Sequence, residues 1–223
     1  MSEATGTERQ TVEDTLARRW ESGRNAGSPW TEALRELGAI DRAVYQAIAE
    51  TPSARLDVAF RRLSRAADHS CLWFGISAAT ALTGGISGRR AASKGLLAIG
   101  AASATVNLGI KPLARRRRPV REEPAPFRNR YVPMPESTSF PSGHAASAFA
   151  FAYAVSRDMP RLAVPIGLLA GAVAHSRVHT GVHYPSDVVI GAILGASTAA
   201  LVASPSDALL NAAVGLRRSP RAS

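Results

Sequence analysis

Three short polar segments hold most of the residues in this chain that could do nucleophilic or acid–base chemistry. The first is KPLARRRRP, with Lys111, the arginines Arg115, Arg116, Arg117 and Arg118, and Pro119. The second is SFPSGH, with Ser139, Pro141, Ser142, Gly143 and His144 directly before an apolar helical stretch. The third is SRVHTGVHYPSD, with Ser176, Arg177, His179, His183 and Asp187. Singly, each has a structural reading: a basic run beside a membrane, a serine N-cap, and a polar loop with Pro185 opening the last helix. Jointly they supply the parts of phosphoryl transfer: cations for three equatorial oxygens, a nucleophile, and an acid for the leaving oxygen. A helix starting at Ser142 and Gly143 also offers unpaired N–H groups to a phosphate, and Gly143 keeps side-chain bulk away from it.

The same histidines pose a rival reading. His175, His179, His183 and Asp187 recur every four residues, and one continuous helix would align them as four metal ligands. Gly181 and Pro185 interrupt such a helix, and Arg177 would repel the ion. The expectation is therefore a site with no metal, in which His175 and His179 are structural or lining residues. His69 carries no chemical signal.

The elements that must position these residues are helical. Leu34, Leu37, Ile40, Val44 and Ile48 recur at three- and four-residue spacing, and Leu56, Phe60 and Leu63 continue an apolar face after a helix start at Thr51-Pro52. These helices suit a bilayer surface or the cover of a core. Five apolar stretches follow near 71–87, 95–110, 145–156, 162–175 and 188–203, each about 12–17 residues against the roughly 20 of a full membrane span. Gly84-Gly85 and Met159-Pro160 mark turns between them, and Gly191 and Gly195 in GAILG are spaced for close helix approach. The expected fold is all-α: a membrane helical bundle of about five core helices with amphipathic N-terminal helices. Its parts are a mobile tail over 1–29, the amphipathic helices over 30–66, a core over 67–204 and a basic tail over 205–223.

Charge narrows the partners. The formal net charge is +10, and the arginines fall in short runs between apolar stretches, with no nucleic-acid motif. That pattern points to a membrane surface and a bound phosphate, not to nucleic acid. Cys71 is the single cysteine, which excludes an intramolecular disulfide; it opens an apolar run and is expected to be buried and inert. Residues 1–30 are charged and lack the hydrophobic core of a secretory signal.

The pattern of Lys, six residues, Arg-Pro; then PSGH; then Ser-Arg, five residues, His, three residues, Asp resembles the type 2 phosphatidic acid phosphatase superfamily. That superfamily also holds bacterial acid phosphatases and vanadium haloperoxidases. The chain is similar to the phosphatase half of actinobacterial proteins that join this domain to a lipid kinase; no kinase domain is expected in it. The resemblance implies that Lys111, Arg118 and Arg177 bind phosphate, aided by Ser142 and Gly143. It implies that His183 attacks phosphorus to give a phosphohistidine, that Asp187 orients His183, and that His144 protonates the leaving group and later activates water. Arg115, Arg116 and Arg117 lie outside the motif and are expected at the surface or against headgroups. The expected function is a cofactor-free, multi-pass cell-membrane phosphatase for phosphatidate-like or polyprenyl phosphates or diphosphates. A broad-specificity acid phosphatase, a vanadate-dependent halide oxidase and a non-catalytic phospholipid-binding protein are the alternatives.

Overall fold

A computed structural model of the protein describes residues 28–51, 53–121 and 130–218, with side chains as far as residue 203. The expected mobile tail over 1–29 lies almost wholly outside the described residues. The chain divides into two compact units, one ending at Ala43 and the other starting at Val44. All regular structure among the described residues is helical, as expected.

Helix α1 (Pro29–Glu50) leaves Leu34, Leu37, Ile40 and Val44 exposed, while Tyr45 and Ile48 pack on a small apolar cluster with Ala174 and Val178. Helix α2 (Ala54–Ala66) follows, with Ser53 at its N-cap. Its inner face covers the end of the bundle: Leu63 joins the core, and Phe60 meets the rings of His175 edge-on and His179 at a tilt, each at 4.9 Å. A 3-10 turn (Asp68–Ser70) then leads into the five core helices.

Helix α3 (Cys71–Thr83) and helix α4 (Gly85–Ala104) meet at the double glycine, where Gly85 adopts φ 59°. A Cβ on Gly88 would overlap the carbonyl of Thr80, so the close approach of these helices requires glycine there. Helix α4 starts ten residues before the apolar stretch near 95–110, and its Lys94 is buried against Asp158, with Nζ 2.8 Å from Oδ2. The helix closes in a π-turn (Thr105–Ile110), an irregularity common at functional sites, which delivers Lys111.

Helix α5 (Gly143–Asp158) is the central element, buried through Ala145, Ala146, Ala148, Ala150, Phe151, Ala154 and Val155. Its alanines give it a thin waist against which α4, α6 (Ala163–His179) and α7 (Pro185–Arg218) all pack. The glycines at 191 and 195 do what their spacing suggested. A Cβ on Gly191 would meet the Ser142 carbonyl at 2.5 Å, and one on Gly195 would overlap the Ala146 carbonyl, so α5 and α7 touch backbone to backbone. Helix α7 passes residue 204, where the sequence reading ends the core, and runs to Arg218. Ala208, Leu209, Leu210, Ala212 and Ala213 are all good helix formers.

The outside of the bundle is apolar. Leu82, Ile86, Leu97, Leu108, Val164, Leu168, Val189, Ile193 and Leu201 are all more than half exposed. Cys71 is also exposed, contrary to the expectation of burial. It lies on the outward face of α3 with Phe74 and Leu82, while Trp73 and Ser77 face inward, so helical phase and not apolar company decides its position. Two segments, Pro160–His179 and Pro185–Ala203, are long and apolar enough to cross a bilayer.

The α5–α7 contact gives a direct test. Gly195→Val should lower the thermal unfolding midpoint of the detergent-purified protein by several degrees, a cost of about 1–3 kcal/mol. Gly167→Ala, where an added Cβ meets nothing within 4 Å, should leave it unchanged or slightly raised.

Candidate active site

The π-turn after α4, the start of α5, the end of α6 and the start of α7 converge on one end of the bundle. There they enclose a cavity of about 190 Å³, lined by Lys111, Arg118, Gly143, His144, Arg177 and His183 among others. The three polar segments thus come together, and each is held in a way the local sequence explains. Helix α6 stops because Gly181 turns the chain at φ 70°; the amides of Val182 and His183 then fold back onto the Arg177 carbonyl, at 3.1 and 3.2 Å. Arg177 and His183 are therefore neighbours through the backbone, whatever their side chains do. Pro185 opens α7, as expected, and places Asp187 in its first turn.

Asp187 is fully buried and heavily bonded. Its carboxylate accepts hydrogen bonds from Ser139 Oγ (2.5 Å), the Tyr184 amide (2.8 Å) and Arg116 Nη1 (2.9 Å), and its own carbonyl accepts from the Ser142 amide (2.9 Å). His183 Nδ1 lies 3.6 Å from Oδ2, within ion-pair range but beyond a hydrogen bond, and Nδ1 makes no other hydrogen bond. Arg116 is accordingly not a surface residue like the exposed Arg115 and Arg117: it also bonds Ser186 Oγ at 2.7 Å and lies over the Tyr184 ring at 4.4 Å. The buried carboxylate, which an RRRR run does not announce, draws it inward.

Arg118 is fixed by carbonyls. It donates to the oxygens of Ser137 (2.9 Å), Thr138 (3.2 Å) and Val182 (2.7 Å), leaving Nη1 3.4 Å from His183 Nε2. Lys111 Nζ reaches Ser137 Oγ at 3.4 Å. Arg177 donates to Ser64 Oγ on α2, while its buried Nε makes no hydrogen bond. These cations lack enough negative charge. Burial, and then the nearby Arg118 and Arg177, hold the Lys111 ammonium below its usual range; burial does the same to Arg118. His183 responds to the same surroundings. Burial first, then Arg118 and Arg177, push its imidazole down to about 4 against the opposing pull of Asp187, so it is neutral at physiological pH.

Ser142 stands apart from the expected phosphate ligands. It is fully buried and its hydroxyl caps α5 by accepting from the Ala145 amide at 3.4 Å; it does not line the cavity. Gly143 does line it, and a Cβ there would sit 3.9 Å from Lys111 Nζ, inside the space between the cations. His179 bonds Asp57 Oδ1 at 2.7 Å, and Asp57 pairs with Arg130 at 3.0 Å, so His179 joins α6 to α2 in a structural role. The four-residue repeat of His175, His179, His183 and Asp187 does not become one ligand row, because α6 ends between its second and third members. Among the described residues, no group of three or more His, Cys, Asp or Glu side chains is placed to hold a metal ion.

Two participants were invisible in the motifs. Asp68 Oδ1 lies 2.9 Å from His144 Nε2, and His69, read as carrying no signal, lines the cavity. Only the DHS turn between two helical patterns hinted at either.

The model of the PAP2 superfamily matches residues 92–208, which include all three polar segments. The chain belongs to the PAP2 superfamily. It is 45% identical over 95 residues to decaprenylphosphoryl-5-phosphoribose phosphatase of Mycobacterium tuberculosis, covering 43% of this chain and 50% of that protein. The chain thus spans about half the length of that relative. It is 34% identical over 165 residues to the Mycolicibacterium smegmatis protein of the same name, covering 72% and 84% of the two chains. Two solved structures are similar in fold: Aquifex aeolicus LpxE (TM-score 0.58, 22% identity, 71% of this chain and 92% of that one) and a Bacillus subtilis transmembrane PAP2-type phosphatidylglycerolphosphate phosphatase (0.59, 24%, 77% and 87%). Both mycobacterial relatives are named as phosphatases.

Arg116 lies outside the PAP2 motif yet grips Asp187. Arg116→Ala should lower kcat for phosphate release about 10- to 100-fold with KM nearly unchanged, whereas Arg115→Ala should change neither appreciably.

Proposed function

We propose that the protein is a metal-independent lipid phosphate phosphatase, in which His183 is the nucleophile, His144 the general acid and base, and Asp187 the residue that orients His183. The observation that carries this reading is the pairing of a neutral, buried imidazole with three under-compensated cations around one cavity. A phosphate dianion would relieve the repulsion among Lys111, Arg118 and Arg177. It would also meet the amides of Gly143 and His144 at the start of α5, which have no intrahelical acceptors.

The ring geometry supports a division of labour between the two nitrogens of His183. Nδ1 of His183 faces Asp187, so Nε2, beside Arg118, is the atom that attacks phosphorus. Attack forms a P–N bond and expels the alkoxide, whose electron pair takes a proton from His144. Water then attacks the phosphohistidine while His144 accepts its proton. The cations stabilise the charge spread over the equatorial oxygens in both steps.

The substrate we infer is a lipid-linked phosphate monoester, of the polyprenyl phosphosugar kind named for the two mycobacterial relatives. The remaining lining supports a hydroxylated headgroup: Ser70, Ser103, Asn107 and Ser147 face the cavity where hydrocarbon would suit a bare lipid tail. The apolar outer surface of α3 to α7 supports a multi-pass location, with the site at the membrane–water boundary.

Phosphate release from a polyprenyl phosphosugar, phosphatidate and a prenyl diphosphate, each with EDTA present, tests the assignment. The phosphosugar should be the best substrate and EDTA without effect. His183→Ala should lower the rate by at least about 1,000-fold; full activity in that variant would sink the proposal. The pH profile gives a second check. Protonation removes the His183 nucleophile, and its ordinary value of 6.5 is lowered to about 4, so the acid limb of kcat/KM should fall near 4. Corrected for substrate ionisation, a limb at the ordinary histidine value would contradict it.

A further inference from the structure

We propose that Asp68 is the positioning residue of His144, giving the site a second His–Asp pair that assigns proton transfer to one ring nitrogen. This rests on the reading of His144 as general acid and base.

Asp68 belongs to none of the three polar segments. It opens the 3-10 turn between α2 and α3, and its Oδ1 lies 2.9 Å from His144 Nε2 and 3.5 Å from Arg177 Nη1. It does not line the cavity, although the residues on both sides of it, Ala67 and His69, do. The carboxylate, whose side chain is 38% exposed, therefore reaches His144 and Arg177 from outside the cavity lining. The turn that puts it there is unfavourable for ordinary residues. His69 and Ser70 both adopt left-handed backbone, at φ 52° and 61°, and side-chain-bearing residues persist there only when their surroundings hold them. That conformation rotates His69 and Ser70 into the cavity wall and directs Asp68 to His144.

An ionised carboxylate can only accept hydrogen bonds, so the proton on His144 Nε2 is committed to Asp68. The bond to His144 also holds the Asp68 carboxyl below its ordinary range, so it is ionised whenever the protein is folded near neutrality. The neutral ring then has its lone pair on Nδ1, and the protonated ring carries its second proton there. In the first step the P–O ester bond breaks as His183 Nε2 bonds to phosphorus, and the leaving oxygen takes the proton from His144 Nδ1. In the second, water oxygen bonds to phosphorus, the P–N bond breaks with its pair returning to His183, and Nδ1 takes the proton from water. The Nε2 proton stays on the Asp68 side throughout. The arrangement parallels His183–Asp187 but serves the opposite face of the reacting phosphorus.

A leaving-group comparison on the full-length, detergent-purified protein separates this role from a structural one. Asp68→Asn should lower kcat for an alkyl lipid phosphate about 10- to 100-fold, because an alkoxide needs the proton. It should change the burst rate of nitrophenolate release from p-nitrophenyl phosphate by less than about 3-fold, because that group leaves unassisted. Asp68→Ala carries the same expectation should the amide pack poorly. The Asp68→Asn/His144→Ala double variant should be no slower than His144→Ala alone, as for residues acting as one unit. Equal losses for both substrates, additive losses in the double variant, or full lipid phosphatase activity in Asp68→Asn would each overturn the proposal. Failure of the underlying phosphatase reading would look different: wild type would release no phosphate, or His183→Ala would release it undiminished.

Discussion

The buried carboxylate of Asp187 joins all three polar segments of the chain. It takes a hydrogen bond from Arg116 in the first, from Ser139 in the second and from the Tyr184 amide in the third, while its carbonyl receives the Ser142 amide at the start of α5. A charge at that depth is tolerated only when it is this well solvated by the protein. The same bonds that stabilise the anion fix the first turns of α5 and α7 side by side, and with them the position of His183. The glycines at 191 and 195 make that juxtaposition possible, since any side chain there would hold the two helices apart.

Around this anion the site carries an excess of positive charge. Half-buried Lys111 and Arg118 and fully buried Arg177 face one cavity, where water screens their charges less than at an open surface. The consequence is twofold: the space between them suits a multiply charged anion, and His183 is kept neutral next to them. Both suit the proposed phosphoryl transfer, in which an uncharged imidazole must approach a phosphate that the cations have already neutralised. Asp68 extends the pattern to the other histidine, so that each ring has a carboxylate on the side away from the cavity.

The bundle that carries this site inverts the usual soluble arrangement. Its central helix is lined with alanine, and many large aliphatic side chains of α3, α4, α6 and α7 point outward, although Ile99 and Ile166 stay in the core. Small residues inside allow helices to approach closely, and the large ones outside suit a hydrocarbon solvent, as the proposed membrane location requires. Polar groups at the far end are dealt with pairwise, Lys94 with Asp158 being the buried example.

The sequence by itself determined the helical architecture, the five core helices and the residues of the three segments. Helical periodicity and motif spacing are local properties that a chain carries in one dimension. It also determined the end of α6 and the start of α7, because Gly181 and Pro185 act on their own backbone. Contacts between segments far apart in the chain were left to the tertiary structure. The pairing of Asp68 with His144 spans 76 positions, and that of Arg116 with Asp187 spans 71. Nothing local distinguishes Arg116 from Arg115 and Arg117, or Asp68 from any acid in a turn. The exposed Cys71 has the same cause: composition sets how apolar a helix is, while the phase at which it docks decides which side faces out. Ser142 shows the limit from the other side, since one hydroxyl fits a cap and a phosphate ligand equally in sequence, and only the buried geometry of α5 assigns it to the cap.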